Sequence, residues 1–344
     1  MQTLYPILCE PRLVEPLWGG QRLAPWLDLP YPHPERLGEI WLVFDSNRVS
    51  NGPLAGTTIA DLARAYGIAL VGSRPFARYG ADLPLLAKFI DAADRLSVQV
   101  HPDDEYAHTF EAHTGFHGKT EAWYILAAEP GATVTLGTST VLERETLAQA
   151  IADGTVETLL AQRPVQSGDL IFVPAGTIHA INAGIMLFEI QQKSDLTYRL
   201  YDYNRRDART GQLRPLHIEQ ALAVSRLEPA RTAQLQPLPL DERRELLVAC
   251  SSFALERWHV QGQLAATTDP ASLEILTVIA GTAQLAWQQL TLDLPRGTAV
   301  LLPATLGAYR LLADDATLLR SYIPDIPALI STLGVSPGTD PIFP

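Results

Sequence analysis

The chain has 344 residues, of which 47% are hydrophobic and 19% charged, and it carries a net charge of −12 with only two cysteines, Cys9 and Cys250. That composition leaves ample room for a core and argues against nucleic acid and anionic membrane as partners, since both need a basic surface. No apolar run approaches the ~20 residues of a bilayer span, the opening MQTLYP lacks the pattern of a signal peptide, and two distant cysteines predict no disulfide framework and a reducing cytoplasm.

In chain order, residues 1–56 are rich in Pro, Gly and Trp, with a strand expected over Ile40–Phe44. TTIADLARAY (Thr57–Tyr66) predicts a helix capped by threonine and stopped near Gly67. Leu83–Ile90 is mixed in character. DDEYAHTFEAH (Asp103–His113) predicts a short helix opened by acidic residues, which suit a helix N-terminus. Ala122–Ala127 and Ala132–Gly137 predict strands separated by an EPG turn. Leu142–Leu160 has a helical pattern that Asp153-Gly154 can break, and strand and turn return from Val165 to about Tyr203. PARTAQLQPLPL (Pro229–Leu240) is the candidate linker.

Beyond the linker comes an internal repeat. GDLIFVPAGTIH (Gly168–His179) aligns without gaps onto GTAVLLPATLGA (Gly297–Ala308), and EAWYILA from Glu121 aligns onto EILTVIA from Glu274. Two similar β-barrels are the economical reading. Ala308 stands where the first copy has His179, so only the first copy is expected to bind metal.

Four residues carry most of the chemistry. Gln99 and His101 lie in SVQVH, Glu121 ends GKTE, and His179 ends VPAGTIH, three stretches read as strand-like. In an extended strand alternate side chains share a face. Ser97, Gln99 and His101 then point one way, Val98 and Val100 the other, and Lys119 shares a face with Glu121. Two imidazoles, a carboxylate and an amide inside one barrel suit a divalent ion, with zinc the leading choice. His108, His113 and His117 fall on or after the helix at 103–113 and are read as surface residues.

Gly168, Pro174, Gly176, His179 and Asn182 form G-x5-P-x-G-x2-H-x2-N, which resembles the second histidine motif of the cupin superfamily. The first cupin motif, HxH with a glutamate a few residues on, is absent; Gln99-Val100-His101 stands in its place and Glu121 follows twenty residues later. PLLAKFIDA from Pro84, LSVQVHPDDEYA from Leu96, GKTEAWYIL from Gly118, VPAGTIHAI from Val173 and EIQQKSDLTYR from Glu189 together resemble type I phosphomannose isomerases, most of all the short bacterial form. WGG (Trp18–Gly20) and GEIW (Gly38–Trp41) extend the likeness, so that it covers at least residues 16–205.

The resemblance implies a mostly β fold of two cupin-like β-barrels (jelly rolls) with helical insertions in the N-terminal half. Residues 1–235 would form the catalytic metal-binding domain and residues 236–344 a degenerate copy without metal. It implies one zinc ion per chain on Gln99, His101, Glu121 and His179, and reversible interconversion of mannose 6-phosphate and fructose 6-phosphate through an enediolate. No nucleic-acid or membrane partner is implied, and the oligomeric state is not readable.

Shifting a carbonyl between C1 and C2 needs a Lewis acid and a base that moves a proton between neighbouring carbons. Lys119, Glu189 and a metal-bound water are the three candidates for the base. Arg199 is the candidate for phosphate or oxyanion, because guanidinium matches both in two-point geometry, and the resemblance also gives it catalytic weight. Lys119 and Ser97 are further candidate substrate contacts, and Asp195 is a candidate helper in ring opening. Arg205, Arg206, Arg209 and Arg214 form a basic run that reads more simply as a solvated loop than as a guide for an anionic sugar. The alternatives are a metal-dependent cupin oxygenase and a non-catalytic sugar-phosphate sensor.

Overall fold

Short apolar stretches separated by turns become strands throughout the computed structural model, which describes residues 3–206, 211–230 and 235–334. The fold is mostly β. The chain divides into two compact units, one made of Met1–Arg12, Trp41–Lys88 and Leu235–Pro344, the other of Leu13–Ile40 and Phe89–Gln234. No described helix is long and apolar enough to cross a membrane.

The unit built around Phe89–Gln234 contains two antiparallel sheets. In one, the strands run in the order Tyr198–Tyr201, Val98–Val100, His179–Ile181, Thr133–Thr138, Leu160–Pro164. In the other, Ile185–Gln192 lies between Leu85–Ala92 and Glu121–Ala128, and Leu170–Val173 follows. Both sheets send alternate residues into one core that includes Trp123, Ile125, Leu136, Ile171, Ile181 and Leu187.

The opposite faces follow by alternation. Val98, Val100, Ala180 and Leu200 turn outward and are covered by Leu147 and Ile151 of the Arg144–Ala152 helix and Ala221 of the Ile218–Val224 helix. Phe188 turns away from Leu187 and meets Phe89 edge-on, with ring centres 5.8 Å apart. The residues between these outward positions face inward, and that set contains Gln99, His179 and Glu189.

The sequence elements are found close to where the pattern places them. Ile59–Tyr66 is a helix whose Thr58 hydroxyl accepts from the Asp61 N–H at 3.1 Å, and it stops at Gly67. The acidic segment gives a helix over Asp104–Phe110. Leu142–Leu160 resolves into a helix over Arg144–Ala152 and a short 3-10 turn over Val156–Leu159, broken at Gly154 with φ 71°. Leu83–Ile90, mixed in sequence, is a strand over Leu85–Ala92 buried on both faces, which removes the alternation that would have identified it. The WGG motif packs against that strand: a Cβ on Gly20 would come within 2.1 Å of the wholly buried Asp91 carboxylate, which Arg22 neutralises at 2.6 Å. Within the candidate linker, residues 231–234 lie outside the described residues.

The other unit repeats part of this pattern. Its main sheet runs Ile7–Leu8, Ala299–Leu302, Glu274–Trp287, Ala308–Tyr322, Ala254–Thr267, Arg244–Ala249, Leu238–Pro239. Glu274 pairs with Leu302 on one side and Tyr322 on the other, as Glu121 pairs with Val173 and Gln191. The aligned segments therefore share register as well as sequence. Here the interior is closed by a buried ion network. Arg320 binds Glu274 at 2.7 Å and Glu256 at 3.0 Å, while Tyr309 and Tyr322 donate to those carboxylates.

Candidate metal centre

His101 directly follows the Val98–Val100 strand, Glu121 opens the Glu121–Ala128 strand, and His179 begins a third, His179–Ile181. His179 pairs directly with Gln99, and Arg199 pairs with Gln99 from the other side. Glu121 opens its strand and pairs with Gln191, two residues beyond Glu189. All three of His101, Glu121 and His179 are essentially inaccessible to solvent.

The two imidazoles are oriented by backbone. His101 Nδ1 lies 2.8 Å from the Leu196 carbonyl, and His179 Nδ1 lies 2.8 Å from the Thr177 carbonyl. A carbonyl only accepts, so each Nδ1 carries the proton and each Nε2 presents a lone pair to the interior. Burial disfavours the imidazolium form. It pushes His101 down to about 3, with the Lys119 charge adding to the effect, and it also lowers His179. Burial works in the other direction on Glu121 but is outweighed, chiefly by the Lys119 charge, and the carboxyl stays well below its ordinary range.

The geometry suits a divalent ion. His101 Nε2 is 3.5 Å from Glu121 Oε2 and His179 Nε2 is 3.2 Å from Glu121 Oε1, with the three ligand atoms all within 4.8 Å of one another. Ligands bound about 2.0–2.1 Å from a tetrahedral zinc stand roughly 3.4 Å apart. Neutral imidazoles, an ionised carboxylate and matching spacing meet the requirements of such a site.

The remaining predicted residues are placed as follows. The Gln99 amide lies 3.3 Å from His179 Nε2, and its oxygen accepts from the Ser97 hydroxyl at 3.4 Å. Ser97 in turn accepts from Arg199 Nε at 3.2 Å, while Arg199 Nη1 donates to the Pro215 carbonyl at 2.9 Å. Lys119 Nζ is 3.0 Å from Glu121 Oε2, 3.1 Å from His101 Nε2 and 3.9 Å from Glu189 Oε1. Asp195 is exposed, and among the described residues no hydrogen bond or ion pair joins it to this cluster. His108 and His113 are at the surface as read, but His117 is buried and meets His108 at 3.0 Å; none joins the metal group.

Three local expectations are corrected. GKTE is not a strand, because the strand begins at Glu121 and Gly118–Thr120 is irregular. Lys119 still reaches Glu121, but through a loop held by side chains rather than by strand alternation. VPAGTIH is not one strand either, because Leu170–Val173 ends there and His179–Ile181 begins after a turn over residues 174–178. The basic run is also not simply solvated. Arg205 pairs with Asp202 at 2.6 Å and Asp94 at 3.1 Å, and Arg214 pairs with Asp202, leaving Arg206 exposed. Arg209 lies outside the described residues. Sequence reasoning did not single out Asp104 and Gln192, which hold the loop that carries Lys119; Gly118, a glycine directly before the candidate lysine, was the available signal.

Comparison with known proteins places this geometry. The description "Phosphomannose isomerase type I, catalytic domain" matches residues 9–133, and "Mannose-6-phosphate isomerase, cupin domain" matches residues 243–323. The chain is 35% identical over 317 residues to the mannose-6-phosphate isomerase ManA of Bacillus subtilis, covering 90% of this chain and 96% of that one. The chain belongs to the type I phosphomannose isomerase family. It is therefore an enzyme of the isomerase class. A mannose-6-phosphate isomerase of Streptococcus mutans is 34% identical over 314 residues, covering 90% of this chain and 96% of that one. The crystal structure of the mannose 6-phosphate isomerase from Bacillus subtilis matches with a TM-score of 0.82 at 31% identity, over 92% of this chain and 99% of that one. The phosphomannose isomerase family thus accounts for nearly the whole length of the chain.

Proposed function

We propose that this chain interconverts mannose 6-phosphate and fructose 6-phosphate, with one zinc ion held by Gln99, His101, Glu121 and His179. The observation that carries the reading is the meeting of two neutral imidazole Nε2 atoms and a carboxylate within 4.8 Å of one another. Lys119 and Glu189 adjoin them, and the similar proteins bear the name of this isomerase.

A bound zinc ion supplies a Lewis acid that polarises the sugar carbonyl and lowers the cost of the oxyanion that forms. The chain's own residues do the rest. A base takes the proton from C2, the C–H electron pair becomes the C1–C2 double bond of an enediolate as the carbonyl π pair moves onto O1, the hydroxyl proton passes from O2 to O1, and the first proton returns at C1 as the C2 carbonyl forms. Glu189 and Lys119, 3.9 Å apart, share that transfer. Arg199 and Ser97 face the phosphate or the developing oxyanion; among the described residues no hydrogen bond engages Arg199 Nη2. Asp195, exposed beside the Leu196 carbonyl that orients His101, assists ring opening.

The same reading assigns residues 1–235 to a catalytic cupin-like barrel with helical insertions and residues 236–344 to a second barrel without metal, although Met1–Arg12 and Trp41–Lys88 group with Leu235–Pro344 as one compact unit. Shared register at Glu121 and Glu274 supports it, as does the Arg320 network in the second copy. The free cysteines Cys9 and Cys250 support a reducing, cytoplasmic setting.

A coupled assay for fructose 6-phosphate formed from mannose 6-phosphate tests the proposal. Turnover should vanish on chelation and return with zinc. Zinc-bound protein that forms no fructose 6-phosphate would overturn it.

A further inference from the structure

Lys119 sits on a segment with no strand ladder to fix it. Every backbone N–H from Gly118 to Thr120 is nevertheless engaged. Gly118 N–H donates to Asp104 Oδ1 at 2.9 Å, Lys119 N–H to the Pro102 carbonyl at 2.8 Å, and Thr120 N–H to Gln192 Oε1 at 2.9 Å. Gln192 Nε2 donates to the same Asp104 oxygen at 2.8 Å, and Gln192 N–H donates to the Thr120 carbonyl at 3.1 Å. Thr120 Oγ1 accepts from Ala175 N–H at 3.2 Å.

One buried amide thus joins the start of the Asp104–Phe110 helix to the residue after Lys119. The segment also touches that helix directly. A Cβ on Gly118 would lie 2.4 Å from Asp103 C and Asp104 N, so only glycine lets the backbone pass there. Gln192 is buried, so water does not replace its bonds when they are removed.

Resting on the isomerase reaction proposed above, we propose that Gln192 and Asp104 are positioning residues: together they fix the peptide that presents Lys119 and so place its ammonium against Glu121 and Glu189. Neither needs to touch the sugar. Lys119 hangs on a flexible four-carbon stem, so the backbone sets the region its ammonium can reach. A displacement of about 1 Å at a group that moves a proton costs on the order of 100-fold in rate.

The test compares zinc-loaded wild type with Gln192→Leu, Asp104→Ala and Asp104→Asn. Leucine keeps the volume of Gln192 but neither accepts from Thr120 nor donates to Asp104. Alanine at 104 leaves Gly118 N–H and Gln192 Nε2 without their acceptor, whereas asparagine keeps an oxygen there. For Gln192→Leu the kcat on mannose 6-phosphate should fall about 10- to 100-fold, with KM within about threefold and the zinc content unchanged. Asp104→Ala should fall in the same way by a smaller factor, and Asp104→Asn should recover most of the wild-type rate. Amide hydrogen exchange over residues 118–121, followed by mass spectrometry, should quicken in Gln192→Leu and Asp104→Ala only.

Folded Gln192→Leu and Asp104→Ala with wild-type kcat would overturn the proposal, as would a loss of kcat that merely tracks lost zinc. Asp104 is half-buried, so its alanine variant carries the test where Gln192→Leu does not fold. If the wild type itself does not act on mannose 6-phosphate, the reaction is wrong and exchange alone decides: unchanged rates at residues 118–121 would then overturn the positioning role.

Discussion

Glu121 and Glu274 occupy the same register position in two different sheets. Glu121 pairs with Val173 and Gln191, and Glu274 pairs with Leu302 and Tyr322. What faces each carboxylate differs. Glu121 meets two neutral imidazoles and Lys119, while Glu274 meets the guanidinium of Arg320 through two of its nitrogens. Counting along the paired strands puts Arg320 at the position that Glu189 holds in the first copy. A cation built into the chain has taken the interior of the second copy.

That arrangement makes Arg320 a stability residue. Burial opposes its charge, but Glu256 and Glu274 outweigh burial and raise its proton affinity well above the ordinary range. Arg320→Met would leave two buried carboxylates uncompensated, at a cost of about 3–5 kcal/mol. Urea denaturation should show that loss, and the triple change Arg320→Met, Glu256→Gln, Glu274→Leu should recover a large part of it. An Arg320→Met midpoint equal to wild type would refute the assignment.

The four proposed ligands should differ in weight. His101→Ala and His179→Ala each remove a lone pair aimed at the ion, and loss of a Lewis acid that contributes several kcal/mol corresponds to about 1,000-fold or more in rate. Zinc content by atomic emission should fall with activity in both variants. Gln99 contributes only an uncharged amide, so Gln99→Ala should weaken zinc binding and keep most of the turnover at saturating zinc. Full activity in His101→Ala at wild-type zinc content would rule out His101 as a ligand.

Arg199 should be intolerant of lysine. Its Nε donates to Ser97 and its Nη1 to Pro215, which fixes the plane of the guanidinium. Lysine keeps the charge but has no planar fork to make these bonds and a two-point contact with an anion together. Charge-assisted hydrogen bonds contribute about 1.5–3 kcal/mol, so kcat/KM should fall roughly 10- to 150-fold in Arg199→Lys. Steady-state kinetics on mannose 6-phosphate reads this directly, and a change within twofold would remove Arg199 from the substrate.

Much of the site was legible because strands have a period of two. Ser97, Gln99 and His101 sharing a face, with Val98 and Val100 on the other, follows from alternation alone, and the polar chain from Arg199 through Ser97 and Gln99 to His179 confirms it. The Leu85–Ala92 strand was hidden because burial on both faces erases alternation. Lys119 was placed correctly beside Glu121 for the wrong reason. Its loop is held by Asp104 and Gln192, which are 14 and 72 residues from their partners Gly118 and Thr120, and no local pattern encodes contacts of that kind. Arg320 was invisible for the same reason, since a buried arginine is explained only by carboxylates that arrive from other strands.

The buried imidazoles should make the metal-free protein sensitive to acid. His101 falls from its ordinary 6.5 to about 3 in the folded chain, and His179 is lowered as well. Between those values the unfolded chain holds a proton on His101 that the folded chain does not, so acid favours unfolding. The stability is fully present above about pH 6.5, is lost as pH falls through the window toward 3, and changes no further below it. Each such histidine contributes a slope of about 1.4 kcal/mol per pH unit inside the window. The depressed carboxyl of Glu121 acts in the same direction at the acid end. Urea denaturation of chelated protein at pH 7, 6 and 5 should show this fall, and His101→Asn should flatten it by about one proton's worth. An equal slope in wild type and His101→Asn would mean that His101 is already protonated in the folded chain, and would remove the neutral imidazole on which the metal centre depends.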